Sequence, residues 1–151
     1  MIELATPKDI SCAPILAHIA AFARAALWTK EQFETELKLS CAHIFLYRTK
    51  EEKAPLGFVC FRVYQDEAEL TNFAVLPNAQ NKHIGTKLLS FALTNLSKRG
   101  VKKITLEVSV QNLKAKKIYE NFGFKKISLR KNFYDGGIDA ELMLFTAQKT
   151  L

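Results

Sequence analysis

The sequence has few cysteines and histidines, and neither set has the spacing of a metal site. Cys12, Cys41 and Cys60 are widely separated and form no C-x-x-C pair. An odd number of cysteines without metal spacing indicates a reducing compartment and no disulfide framework. The three histidines, at positions 18, 43 and 83, are equally scattered. We therefore expect ordinary buried thiols and no bound metal.

Long apolar runs, repeats and low-complexity segments are also missing. No stretch approaches the roughly 20 apolar residues of a membrane span. The N-terminus, MIELATPKD, lacks the basic and apolar regions of a signal peptide. The 151 residues are 48% hydrophobic and include eleven phenylalanines, which is enough to form a core. We expect one globular domain over residues 1–151, in the cytoplasm, without a membrane partner.

The charge is strongly positive: the chain has 22 Lys and Arg residues but 15 Asp and Glu residues, which gives a net charge of +7. Such a balance suits a nucleic acid, a ribosome surface or a polyanionic cofactor, and equally a soluble basic surface. The basic residues are spread along the predicted helices and are not interleaved with aromatic side chains. Direct sequence-specific binding of nucleic acid is therefore not expected.

Two helix starts are visible in the first third of the chain. Ser11 is the expected cap of the first helix. The second start carries a stronger signal, because Thr29 and Gln32 have the spacing of a capping box. Trp28 and Phe33 flank that box and are spaced as a hydrophobic staple.

The other elements follow from hydrophobic periodicity and from turn residues. Strands are predicted at residues 2–4, 44–47, 57–64, 69–75, 103–108, 124–130 and 141–145. Further helices are predicted from residue 84 to a stop at Gly100 and over residues 112–121. The order β-α-α-β-β-β-α-β-α-β-β indicates an α/β fold with a mixed sheet and helices on both faces. The strands of the unit 69–108 should be parallel and should splay apart at their C-terminal ends, where α/β sheets hold ligands.

The segment QNKHIGT, residues 80–86, opens the long helix. Free backbone N–H groups and the positive end of the dipole make a helix start an anion site. Lys82 and His83 can add positive charge or hydrogen-bond donors. Taken alone, this segment also fits an ordinary helix start at the protein surface.

Two carboxylates lie on the neighbouring predicted strands. Glu107 interrupts the apolar segment ITLEV near its C-terminal end, where a charge needs a partner or solvent. Glu69 is the rival candidate, several residues before the expected splay, and we interpret it as a substrate-side or structural carboxylate. Either residue also fits a half-exposed strand face without a catalytic role.

A short helix carries a polar pair. Asn112 and Tyr119 are seven residues apart and so lie on one face, two turns from each other. Asn112 can cap the helix through its side chain. Tyr119 is adjacent to the apolar Ile118, so ordinary core packing is an alternative interpretation of its ring.

The series NFAV, Q…IG, LEV, N and YENFGF, within residues 69–124, resembles the GNAT superfamily of N-acetyltransferases. Within that superfamily it is most similar to the RimI family of ribosomal-protein-alanine N-acetyltransferases. The resemblance covers most of the chain and implies the GNAT fold, with acetyl-CoA as cosubstrate and no metal. It also implies direct acetylation of the N-terminal alanine of a small-subunit ribosomal protein, whose N-terminal peptide would be the partner.

The resemblance also implies roles for individual residues. Glu107 matches the general base, and Tyr119 matches the general acid that protonates the departing thiolate. The backbone of the strand end and of the helix start, together with Asn112, would bind coenzyme A. The strand-end and helix-start residues are Phe73, Ala74, Val75, Asn81, Lys82, His83, Ile84, Gly85 and Thr86. At His83 the family pattern has a glycine, so the approach of backbone to phosphate has less room here.

Three further residues are expected on the substrate side, two of them by the same resemblance. Tyr134 ends the segment RKNFY, which is similar to an R-x-x-Y-Y segment of the family. Trp28 would form the opposite wall. Glu69 is counted with them from its place on the strand next to Glu107, not from the resemblance. Two other functions stay open: a GNAT enzyme that acetylates another peptide or a small amine, and a non-catalytic module that binds acyl-CoA or the ribosome.

Overall fold

The computed structural model describes residues 1–22, 27–51 and 53–147, so the end of the predicted domain at residue 151 lies outside the described residues. The predicted element order is confirmed. The strands are β1 (Ile2–Leu4), β2 (Ala42–Tyr47), β3 (Gly57–Tyr64), β4 (Glu67–Val75), β5 (Lys103–Ser109), β6 (Lys125–Tyr134) and β7 (Ile138–Thr146). The helices are α1 (Ala13–Phe22), α2 (Lys30–Lys38), α3 (Ile84–Lys98) and α4 (Leu113–Asn121).

All seven strands form one mixed sheet in the order β1-β2-β3-β4-β5-β7-β6. Only β4 and β5, the strands joined through α3, run parallel to each other. Their pairing covers residues 67–69 and 103–105, although β4 continues to Val75 and β5 to Ser109. The two strands therefore separate at their C-terminal ends, and the predicted splay is confirmed.

The helices cover both faces of the sheet, as predicted. On one face, α3 and α4 pack their apolar side chains, among them Leu88 and Tyr119, against Phe61 and Leu106. On the other face, α1 and α2 pack against the alternate residues of β2 and β3, such as Phe58. The alternation of side chains along each strand explains why one sheet can supply two separate cores.

The helix starts agree with the sequence in one case and differ in the other. At α2, Thr29 and Gln32 form the predicted capping box, and the Trp28 ring centroid lies 5.2 Å from that of Phe33. Ser11 is not a cap, and this prediction was wrong. It lies inside a 3₁₀ helix, Pro7–Cys12, that is capped by Thr6 and runs directly into α1.

Candidate active site

Glu107 lies on β5 where the splay begins, two residues beyond the last parallel pair, Glu69 with Thr105. Side chains alternate along a strand, so Glu107, Thr105 and Glu69 share one face of the sheet, the face covered by α1 and α2. The Glu107 side chain is 19% exposed. Burial raises the pKa of Glu107, the charge of Arg130 lowers it, and the charge of Glu69 raises it again. This places the proton affinity of Glu107 closer to that of a base acting at neutral pH.

Arg130 reaches Glu107 from the edge of the sheet. Its Nη1 atom lies 3.1 Å from Oε1 of Glu107, and its guanidinium carbon lies 5.7 Å from the ring centroid of Phe133. The two strands that carry this ion pair, β5 and β6, are separated by β7. The sequence motif contained Arg130 but did not indicate its partner, because only the register of three strands brings the two side chains together.

Two tyrosines of the candidate site, Tyr134 on β6 and Tyr119 on α4, have raised pKa values. Tyr134, at the end of β6, is half-buried, and its pKa is raised by burial and by the charge of Glu107. Tyr119 is 6% exposed, and its pKa is raised well above the usual range by burial and, to a smaller extent, by Tyr134. Its phenol is therefore protonated at neutral pH. Glu107, Tyr134 and Tyr119 are the candidate group for proton transfer, related through these effects on their pKa values.

Glu69 lies closer to this group than the sequence suggested. We expected it several residues before the splay, but it occupies the last paired position of β4, facing Thr105. A β-bulge in β4 follows two residues later. Phe61 pairs with Leu70 and Cys60 with Asn72, so Thr71 has no register partner in β3. Glu69 therefore lies at the mouth of the splay, where its charge raises the pKa of Glu107.

At the end of β4, every second residue directs its backbone N–H and C=O groups into the gap between β4 and β5. The N–H of Leu76 donates to the carbonyl of Leu56 at 2.9 Å, so these two facing residues form a hydrogen-bonded pair. Such pairs alternate with non-hydrogen-bonded ones along an antiparallel ladder. The backbone N–H and C=O groups of Phe73 and Val75 consequently point away from β3 and towards β5. Ala74 faces the other way and is bonded within the β3–β4 ladder, so its backbone is not directed into the splay.

The start of α3 is a tight turn that contains two left-handed residues. His83 precedes the helix with φ 61° and ψ 18°, a left-handed conformation, and Asn81 has φ 65°. This explains why the family pattern places glycine at position 83. The His83 side chain makes no capping hydrogen bond, so it leaves the N–H groups of the first turn without a cap from this residue. Gly85 is closely packed, because a Cβ there would lie 3.2 Å from the Phe73 ring and the ring would have to shift by a few tenths of an ångström.

The other helix-start residues fall into two groups. Lys82 and Thr86 are exposed, whereas Ile84 is 4% exposed and belongs to the core. Gln80, which precedes the loop, donates from Nε2 to the Val75 carbonyl at 3.0 Å and accepts from Lys114 Nζ at 3.3 Å. Gln80 thereby links the end of β4 to the start of α4 across the splay.

Asn112 is the N-cap of α4, as predicted, and its Oδ1 accepts from the N–H of Ala115 at 3.1 Å.

Trp28 is placed differently from the other expected substrate residues. It lines a surface cleft of about 320 Å³ together with α2 and with Arg62 of β3. Arg62 faces Glu69 across the β3–β4 ladder, so this cleft adjoins the mouth of the splay on the face that carries Glu107.

Known proteins resemble the chain over most of its length. A model of the acetyltransferase (GNAT) family matches residues 13–124. The chain belongs to the GNAT family of acetyltransferases. Among curated relatives, the [ribosomal protein bS18]-alanine N-acetyltransferase of Escherichia coli is 34% identical over 133 residues, which are 86% of this chain and 88% of that protein. A putative enzyme of the same name from Bacillus subtilis is 31% identical over 79% of each chain.

Solved structures agree with this assignment. The ribosomal-protein-S18-alanine N-acetyltransferase from Escherichia coli matches with a TM-score of 0.84 and 30% identity, covering 100% of this chain and 99% of that one. Ard1 from Thermoplasma volcanium, at 21% identity, shares the fold with a TM-score of 0.86 over 99% of this chain and 98% of that one. The predicted GNAT fold and the similarity to the RimI family are thereby confirmed.

The described residues contain no cluster of His, Cys, Asp and Glu that could hold a metal ion. No described helix is long and apolar enough to cross a membrane. Acetyltransferases of this family use acetyl-CoA, a long anionic thioester, as cosubstrate.

Proposed function

We propose that this acetyltransferase transfers the acetyl group of acetyl-CoA to the N-terminal amine of an alanine in a ribosomal protein, as named for its relatives. The observation that carries the proposal is geometric: Glu107 lies on β5 where the splay begins, and the ring of Tyr119 lies 6.2 Å from that of Phe73 on the separated end of β4. Glu107 is a partly buried carboxylate and Tyr119 is a neutral phenol, which are the two proton carriers that such a transfer needs. The cytoplasm is the compartment that this function implies.

Acetyl-CoA supplies an activated thioester to the site. The N–H groups of Phe73 and Val75 are suited to bind the pantetheine arm and to donate to the acetyl oxygen as charge develops there. The N–H groups at residues 81–86, next to Lys82, are suited to the pyrophosphate because of the helix dipole. Asn112 would contact the cofactor from the start of α4 while it continues to cap that helix.

Two residues move protons in the proposed reaction. An α-amine with a pKa near ~8 is largely protonated at neutral pH and cannot attack a thioester until it loses a proton. Glu107 accepts this proton, directly or through a water, and Tyr119 donates its phenolic proton to the departing sulfur. The amine and the thioester react directly, so the enzyme contributes positioning and proton transfer and forms no covalent bond itself.

The acceptor would lie on the α1–α2 face, where Glu107 is accessible. Tyr134 forms one side of this region, and the cleft beside Trp28 forms the other. Glu69 lies between them in the sheet and is exposed. This placement supports a peptide acceptor, because the open region extends across several strands and could hold residues that follow the N-terminal alanine.

The test is acetylation of a short peptide with the N-terminal sequence of bS18. Mass spectrometry with fragment sequencing locates the acetyl group, and the matched control is the same peptide with a blocked N-terminus and its lysines free. We expect acetylation at the terminal alanine only. Acetylation of lysines or small amines in its place would assign a different acceptor. Tight acetyl-CoA binding without turnover of any acceptor would indicate a binding module.

A further inference from the structure

A buried ion pair joins α4 to β7 on the sheet face opposite Glu107. Lys116 Nζ donates to Oε1 of Glu141 at 2.8 Å, and Glu141 is only 7% exposed. In the sheet, Glu141 faces Val108 of β5 and Leu129 of β6. The hydrogen bond to Glu141 raises the pKa of Lys116, so the ammonium group stays charged at neutral pH. The contact thus links a helix to the centre of the β5-β7-β6 unit.

The helix α4 has few other attachments. Of its nine residues, only Tyr119 is buried, and Leu113 is 70% exposed. Ala115 and Ile118 are partly buried against the core. A helix of nine residues is not stable by itself, so tertiary contacts must determine where it lies. The Lys116–Glu141 pair is the ion pair in this small set of contacts, which also includes the hydrogen bond from Lys114 to Gln80.

The pair lies next to the residue proposed as the acid. Lys116 and Tyr119 are three residues apart and so occupy neighbouring positions on one side of α4. We propose that the Lys116–Glu141 ion pair is a positioning device that fixes the turn of α4 carrying Tyr119 and sets the reach of its phenol into the splay. This rests on the proposed function, in which Tyr119 donates the proton.

Energetics favour positioning over stability as the role of this pair. Desolvation of two charges offsets most of their attraction, so a buried ion pair adds little net stability, although it restricts geometry. Proton transfer is sensitive to that geometry, because a displacement of about 1 Å can lower a rate by roughly 100-fold. The predicted signature is a loss of turnover with substrate binding largely retained.

The chain offers a matched control at the same carboxylate. Lys126 Nζ lies 4.0 Å from the same Oε1 atom of Glu141, but its side chain is 53% exposed and belongs to β6. Replacing either lysine by methionine removes one ammonium group near Glu141 and keeps an apolar chain of similar length. Only Lys116→Met detaches α4. A general effect of charge around Glu141 would appear in both variants.

The first experiment measures steady-state kinetics of the full chain. We expect Lys116→Met to lower kcat by roughly 10- to 100-fold, with small changes in KM for acetyl-CoA and acceptor. Lys126→Met should stay within about two-fold of the wild type. In a Tyr119→Phe background, Lys116→Met should lower kcat no further, because residues that act as one unit are not additive. An equal additional loss in that background would overturn the proposal, as would normal turnover in folded Lys116→Met.

A second readout does not depend on activity. Amide hydrogen exchange should become faster in residues 113–121 of Lys116→Met, but not in α3 and not in Lys126→Met. If Lys116→Met does not fold, Glu141→Leu takes its place, because it removes the acceptor of Lys116 and keeps a similar side-chain volume. Unchanged exchange in α4 would refute the positioning role. If the wild type acetylates no alanine peptide, the proposed acceptor is wrong, while the exchange comparison still decides the role of the pair.

Discussion

The guanidinium of Arg130 and the carboxylate of Glu107 lie 3.1 Å apart, although two strand-to-strand ladders separate their positions in the sheet. This contact places a fixed positive charge beside the proposed base. It stabilises the ionised form of Glu107 against burial and against the negative charge of Glu69. Arg130 also contacts the Oε1 atom of Glu107, which in the proposed reaction would receive the proton of the acceptor ammonium.

Arg130→Met should raise the pKa of Glu107. Arg130 lowers this pKa, while burial and Glu69 raise it, so removal of the guanidinium leaves the two raising effects unopposed. Glu107 acts in its ionised form, and a higher pKa therefore moves the acid limb of the kcat profile to higher pH. The titration can be followed by the carbon-13 shift of glutamate carboxyl groups, with Glu107→Gln identifying the resonance.

Lys131→Met is the control for this titration, because it removes a neighbouring exposed positive charge of the same strand. Arg130→Lys keeps a charge at the position and should give a smaller change. An acid limb and a Glu107 titration that do not move in Arg130→Met would show that the ion pair is too well screened by solvent to matter.

Glu107→Gln should lower turnover by about 10²–10⁴-fold and leave acetyl-CoA binding nearly unchanged, because the amide keeps the shape of the side chain but cannot accept the ammonium proton. Glu69→Gln is the matched comparison, since it removes the neighbouring carboxylate from the same sheet face. The measurements are kcat by steady-state kinetics and the acetyl-CoA Kd by calorimetry. Normal turnover in Glu107→Gln, together with a large loss in Glu69→Gln, would reverse the assignment of the base.

Local signals were sufficient to predict much of the fold. The bounds of β3 agree with the prediction at both ends, and the capping box at Thr29 and Gln32 was visible because it depends on residues three apart. Ser11 was misread for a local reason as well. The stronger cap was Thr6, whose partner Asp9 lies three residues on, and a 3₁₀ helix after it places Ser11 within continuous helical structure.

For the candidate site, the sequence suggested residues but not their contacts. Glu107 and Tyr119 were selected through the family resemblance of the short motifs around them, and their roles stay predictions. The partners Arg130 and Glu141 could not be selected in this way, because each contact depends on how β7 is inserted between β5 and β6. The sequence predicted Glu69 too far from the splay for a similar reason. The number of residue pairs between β4 and β5 depends on the packing of the whole sheet, and no short sequence pattern indicates it.

Tyr119→Phe tests the acid role with the loss of one oxygen atom. The ring would keep its contacts with Phe73 and Phe124, whose centroids lie 6.2 Å and 5.7 Å away, so the fold should survive. Turnover should fall, and the loss should be smaller with an acyl thioester whose thiol is a better leaving group. Thermal unfolding provides the folding control. Unchanged turnover in a folded variant would return Tyr119 to a packing role.

His83→Gly should stabilise the protein and change cofactor affinity little. A left-handed residue other than glycine costs about 1–2 kcal/mol, and the greater freedom of glycine in the unfolded chain offsets roughly 0.4–1 kcal/mol of the gain. The net increase in the free energy of unfolding is then about 1 kcal/mol, or a rise in Tm of about 2–4 °C for a domain of this size. The exposed imidazole makes no cap, so its loss should leave the N–H groups of the α3 start unchanged or more open to phosphate.

Asn81→Gly is the control for this substitution, because Asn81 has a similar φ of 65° but asparagine tolerates the left-handed region better, and a smaller gain is expected there. Thermal denaturation measures the stability of both variants, and calorimetry measures their affinity for coenzyme A. A ten-fold or larger loss of affinity in His83→Gly alone would mean that the imidazole itself binds the cofactor. The histidine would then compensate in charge and hydrogen bonding for the strain that it imposes on the loop.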